Sequence, residues 1–234
     1  MSVLEIVLTA LSGALICMVV MAIVIIHVVT NALTKKVVNY EVLNEFAPKN
    51  PIVFLGDSLT DLYPVHEFIH DDRIINRGIS NETTYDIENR LKDIAVLSPS
   101  CVILLCGIND FLRLKGVKKP KAVAERVIVV AKKLAENCKD VRVVSLYPIN
   151  KGKTKLSPFY LRKTSNEKIR ATNALLESLC KVNGFKFINL NPLLRDEEGN
   201  LKDQFTFEGL HLNLTGYKFL TPYFEKETES VKKE

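Results

Sequence analysis

The chain has no internal repeat and no low-complexity tract, which excludes a repeat array or a disordered segment as its main architecture. Cysteine is sparse, with five in 234 residues, and none stands with histidine at a metal-ligand spacing. Neither a zinc site nor a disulfide scaffold is therefore supported, and no metal or cofactor is expected. Cys17 falls in an N-terminal apolar run, Cys101 and Cys106 bracket a strand-like segment, and Cys138 and Cys180 lie near helix ends. Buried free thiols are the expected state. Histidine is scarce as well: there are four, and His27, His66 and His70 have no motif around them, which reads as structural or solvated. Lysine and arginine outnumber aspartate and glutamate by only 32 to 27 and are scattered rather than set in one patch, so a nucleic-acid partner is not expected.

What is present divides unevenly. Residues 6–29 are nearly continuous in Ile, Val, Leu, Ala and Met, and no charged residue follows until Lys35. About twenty apolar residues suffice to cross a bilayer, so residues 1–30 read as a single-pass transmembrane anchor. A cleaved signal peptide is the rival, with Thr30-Asn31-Ala32 as its cleavage segment. The run exceeds the usual apolar region of roughly 7–15 residues and no basic residue precedes it, which favours an uncleaved anchor. Only Glu5 flanks the run on one side and Lys35 and Lys36 on the other, a bias toward a cytoplasmic folded part.

Residues 31–50 read as a short amphipathic connector and 226–234 as a charged tail. Between them, 51–225 suit one α/β domain with a sizeable core. Apolar runs predict strands at 51–56, 73–76, 101–106, 141–147 and 185–190. Helical spacing predicts helices over 83–97, from the basic loop 115–121 to about 137, over 165–182, and from about 215 onward. This alternation implies a parallel sheet with helices on both faces, a three-layer α/β/α sandwich.

The stretch that organises the domain is Gly56-Asp57-Ser58-Leu59, where the first strand stops abruptly at a serine on a tight turn. In an open parallel sheet the carboxyl ends of the strands form the ligand crevice. Ser58, Gly78 and Asn109 follow strand ends and would gather there, with His211 carried in by the C-terminal loop. A serine hydroxyl beside an imidazole is the pairing that nucleophilic catalysis needs.

Four segments together resemble the SGNH hydrolases, also called the GDSL esterase/lipase family, over about 51–224. They are Gly56-Asp57-Ser58-Leu59, Asn76-Arg77-Gly78-Ile79-Ser80, Gly107-Ile108-Asn109-Asp110 and Glu208-Gly209-Leu210-His211. The resemblance implies a flavodoxin-like fold, Ser58 as nucleophile and His211 as general base and then acid. It also implies an oxyanion hole made by the N–H groups of Ser58 and Gly78 and the amide of Asn109. The family's triad acid is aspartate three residues before the histidine, whereas this chain has Glu208. A carboxylate one methylene longer still reaches the imidazole if the turn adjusts, or a backbone carbonyl serves instead. Asp110 reads as a brace for its loop. Family precedent points to the opposite side of the membrane from the flanking lysines, so the side stays open.

The expected activity is that of a membrane-anchored serine esterase acting on short acyl or O-acetyl esters of a small molecule, lipid or carbohydrate. An O-acyltransferase using the same triad and a non-catalytic membrane-tethered binding module are the alternatives. The sequons Asn81-Glu82-Thr83 and Asn213-Leu214-Thr215 abut the expected site, where a glycan would obstruct substrate, and read as chance matches. The basic loops 115–121 and 151–155 are expected to rim the crevice and to concentrate anionic substrate or lipid.

Overall fold

A computed structural model of the chain describes residues 2–113 and 119–231. It divides into two compact units, Met1–Val42 and Leu43–Glu234, taken separately below.

The first unit is helix α1 (Val3–Asn44), which continues without interruption into the segment expected as a connector. Its stretch Val7–Ile25 has a mean hydropathy of 2.6 and none of it is buried. Leu8, Leu11, Ile16, Val19, Met21 and Ile23 all stand exposed. This is one helix long and apolar enough to cross a membrane; a signal sequence would meet the same criterion.

The second unit opens with β1 (Ile52–Gly56), α2 (Ser58–Asp61) and α3 (Val65–Phe68). Next come β2 (Ile74–Gly78), α4 (Thr84–Asn89), α5 (Leu91–Ala95), β3 (Cys101–Leu105) and α6 (Ile108–Leu112). Helix α7 (Pro120–Ala135), β4 (Val141–Val144), α8 (Ser157–Tyr160) and α9 (Asn166–Asn183) follow, and β5 (Lys186–Ile188), α10 (Asn191–Leu194) and α11 (Leu214–Glu229) complete the unit. The strands pair in parallel in the order β2-β1-β3-β4-β5. That order reverses direction between β1 and β3, so a crevice opens outside their carboxyl ends.

Every residue of β1 and β3 is buried, as expected of strands covered on both faces. Ile52 and Phe54 pack with Leu59, Val65, Tyr217, Leu220 and Phe224, so α2, α3 and α11 cover one face. Val53 and Leu55 pack with Ile87, Ile94, Val127, Val130 and Leu176, so α4, α5, α7 and α9 cover the other. Each such fully buried aliphatic side chain contributes about 1.5–3 kcal/mol. Cys101, Cys106, Cys138 and Cys180 are buried free thiols in this core, whereas Cys17 is exposed on α1.

Several predicted elements are shorter than their patterns, and in two of them side chains show the cause. The helix expected over 83–97 breaks at Arg90 (φ −113°, ψ 14°), whose guanidinium turns inward onto the Glu82 carboxylate and the carbonyl of Arg77. The strand expected over 141–147 leaves the ladder after Val144. There the Asn173 side chain accepts from the Leu146 N–H, while the amides of Asn173 and Asn191 donate to its carbonyl. Side-chain amides thus replace strand pairing without leaving buried backbone groups unpaired.

Candidate active site

Gly56 ends β1 because a Cβ there would sit 2.2 Å from the Leu105 carbonyl oxygen, so β1 and β3 can close at the crevice only on glycine. Asp57 then caps α2, its Oδ1 accepting from the Leu59 N–H at 3.0 Å. Ser58 is the first residue of α2, where a backbone N–H has no intrahelical acceptor. The Tyr217 hydroxyl donates to the Leu59 carbonyl at 2.9 Å and ties α11 to this turn.

The loop before α11 carries the imidazole. Thr206 Oγ1 accepts from the N–H groups of Glu208 and Gly209, and the Asn150 N–H donates to the Gly209 carbonyl at 2.7 Å. His211 Nε2 lies 2.9 Å from Ser58 Oγ, and its Nδ1 lies 2.6 Å from Glu208 Oε1. The same Oε1 accepts from the His211 N–H at 2.7 Å, and Oε2 accepts from the Leu210 N–H at 2.9 Å and the Tyr160 hydroxyl at 2.6 Å. Burial raises the Glu208 pKa, but the bonds from His211 and Tyr160 outweigh it and hold the carboxylate down at about 2. A carboxylate so held is ionised at any working pH and faces the Nδ1–H edge of the ring. Ser157 Oγ donates to the Glu208 carbonyl at 2.7 Å and holds the backbone from which the longer glutamate side chain reaches His211. Tyr160, on α8, bears no motif, and no sequence signal marked it.

Asn109 lies in the first turn of α6, buried, and one amide N–H donates to the Glu82 carbonyl at 2.9 Å. The second amide N–H remains for the cleft that Asn109 lines. Asp110 braces this segment, accepting from the Thr84 N–H and hydroxyl at 3.0 and 2.5 Å.

Gly78 is placed differently from its expected role as an oxyanion donor. Its N–H donates to Asn76 Oδ1 at 2.8 Å, and it does not line the cleft. Glycine is needed there because a Cβ would come within 2.3 Å of the Asp61 nitrogen, where α2 packs on β2. Three residues on, Asn81 lines the cleft with φ 70° in the turn from Ile79 to Glu82. A positive φ at the third position of a turn is the type II arrangement, which asparagine tolerates. Asp61 Oδ2 accepts from the N–H and hydroxyl of Ser80 at 3.0 and 2.6 Å and fixes this turn against α2. Behind it Arg90 pairs with Glu82 at 2.6 Å, both largely buried.

Asp57 is fully buried and its Oδ2 has no hydrogen-bond partner. Burial pushes its pKa up to about 7, against the opposing pull of the Leu59 N–H and His211. The cleft over Ser58 and His211 has a volume of about 590 Å³. Residues 115–118 of the basic loop expected at its rim lie outside the described residues. Lys153 pairs with Asp203 at 3.1 Å, and among the described residues the basic side chains that line the cleft are Arg113, Arg162 and Lys163. The Asn213 side chain is occupied by the Gly216 N–H and the Gln204 carbonyl as the cap of α11.

A sequence model of the GDSL-like Lipase/Acylhydrolase family matches residues 54–219. Among solved structures, one named for platelet activating factor, from Streptococcus pneumonia, is 26% identical with a TM-score of 0.74, covering 86% of this chain and 97% of that one. A GDSL-like lipase from Bacteroides thetaiotaomicron VPI-5482 is 24% identical with a TM-score of 0.73, covering 84% and 98%. The chain is also 29% identical over 181 residues to the N-acylneuraminate cytidylyltransferase of Escherichia coli O18:K1:H7 (strain RS218 / NMEC). That match takes in 76% of this chain and spans 40% of that protein's length.

Proposed function

The chain belongs to the GDSL-like lipase/acylhydrolase family of ester-hydrolysing serine hydrolases, and from that premise we propose that it cleaves short acyl or O-acetyl esters through an acyl-Ser58 intermediate. The observation that carries this reading is the continuous chain from Ser58 Oγ through His211 to the Glu208 carboxylate. Ser58 Oγ attacks the ester carbonyl while His211 Nε2 takes its proton. The imidazolium formed is stabilised by Glu208, and it then protonates the departing alcohol. Water enters by the same general-base route and releases the acid. The N–H of Ser58, the amide of Asn109 and the N–H of Asn81 are the donors assigned to the oxyanion, with Asn81 in the place expected of Gly78. Losing one such donor costs on the order of 10²–10³ in rate.

The apolar helix α1 is assigned as a membrane anchor, supported by its length and its exposed surface. The test of the catalytic assignment is labelling of the full chain in detergent by a fluorophosphonate, with an ester panel alongside. Labelling lost in Ser58→Ala and slowed in His211→Ala, together with release of free acid, is expected. A well-folded chain that resists the probe would refute it, and acyl transfer to added alcohol with little free acid would reassign it as a transferase.

A further inference from the structure

The cleft has two unlike walls. Leu62, Leu112, Phe159 and Leu210 supply an apolar side, and Arg113, Arg162 and Lys163 a cationic one. Among the described residues, no aspartate or glutamate lines the cleft. Arg113 is steadied from outside by Asp86, which takes Nη1 at 2.7 Å. Its remaining guanidinium donors stay unassigned by that pair. Arg162 is exposed and forms no ion pair among the described residues. Two guanidinium groups in one cleft form a planar, multiply donating surface suited to an oxyanion, whereas a neutral alcohol has no use for it. The arginines come from different segments, Arg113 just after α6 and Arg162 just after α8, and folding brings both to the cleft that Ser58 lines.

We propose that the substrate is an ester bearing a second, anionic group, a carboxylate or phosphate, which Arg113 and Arg162 hold while the scissile carbonyl sits over Ser58. This deepens the hydrolase assignment above and rests on it. The cationic wall fixes which end of the substrate faces solvent, and the apolar wall takes the uncharged portion between the two groups.

The test compares hydrolysis of 4-acetoxybenzoate with its methyl ester, which differ in one charge, by the full chain in neutral detergent. A third arm, 4-acetoxyphenyl phosphate, distinguishes the two oxyanions, the arm with the larger preference identifying the group. The native chain should favour the charged esters in kcat/KM. Arg162→Gln and Arg113→Gln should each lower the charged-to-neutral ratio on the order of tenfold, chiefly through KM, as expected for losing a hydrogen bond to a charged group. Arg162→Lys should recover part of the ratio. If both glutamine variants keep the native ratio while Ser58 still labels with fluorophosphonate, the anion assignment is overturned and the hydrolase reading stands. If Ser58 does not label at all, the hydrolase reading fails and takes this one with it.

Discussion

Replacing Glu208 with glutamine keeps the length of the side chain and removes its charge, so its consequences can be worked out closely. The native carboxylate receives four donors, two on each oxygen. A glutamine has one carbonyl oxygen, so whichever way it is turned its NH₂ faces at least one backbone N–H. Such a mismatch costs about 1–3 kcal/mol. The depression of the carboxyl from 4.5 to about 2 corresponds to about 3 kcal/mol at roughly 1.4 kcal/mol per unit. The side chain is 35% exposed, so solvent screening reduces this to about 1–2 kcal/mol. Because the folded pKa lies below the unfolded one, this stabilisation is complete above about pH 4.5 and is lost as the pH falls toward 2. Urea unfolding at pH 7 should therefore find Glu208→Gln less stable by about 2–3 kcal/mol, with the gap narrowing at pH 3. In the esterase assay kcat should fall on the order of 10²–10⁴, because the imidazolium has lost its counter-charge. An equal stability gap at both pH values, or an undiminished kcat, would refute the reasoning.

Three other substitutions probe the scaffold. Gly78→Ala should destabilise the fold by about 1–3 kcal/mol or more, because its Cβ meets the backbone of Asp61, and thermal unfolding measures it. Arg90→Leu strands the buried Glu82 carboxylate and should cost about 3–5 kcal/mol in urea unfolding, with a matching loss of kcat as the turn carrying Asn81 loosens. Asp57→Asn preserves the cap on α2 while removing a carboxyl whose folded pKa is raised from 3.8 to about 7. Native stability from that group is present below about pH 4 and declines as the pH rises to 7, so the variant's advantage in unfolding midpoint should grow between pH 4 and pH 7 and level off above.

The strand positions were legible because β1 and β3 are short, wholly apolar and stopped by glycine, and those stops place Ser58 and Asn109 at the crevice. His211 was legible because it stands three residues after a carboxylate and shortly before the last helix. Gly78 misled because glycine serves two purposes that a sequence does not distinguish, admitting a ligand or admitting another backbone, and here it admits α2. The residue that reaches the cleft is an asparagine whose positive φ no local pattern announced. Tyr160 lies 48 residues from its partner Glu208, and Arg90 looked like one more polar position on a helix. Contacts of this kind exist only once the chain has closed.

The thiols packed into the sheet and its covering helices give the domain a built-in clock for its own breathing. Burial pushes the thiols of Cys101, Cys106, Cys138 and Cys180 up, so none offers a thiolate to an alkylating reagent while the fold is shut. Timed alkylation read by mass would then rank how often β3, the turn after α7 and the last turn of α9 come apart, without a single engineered residue.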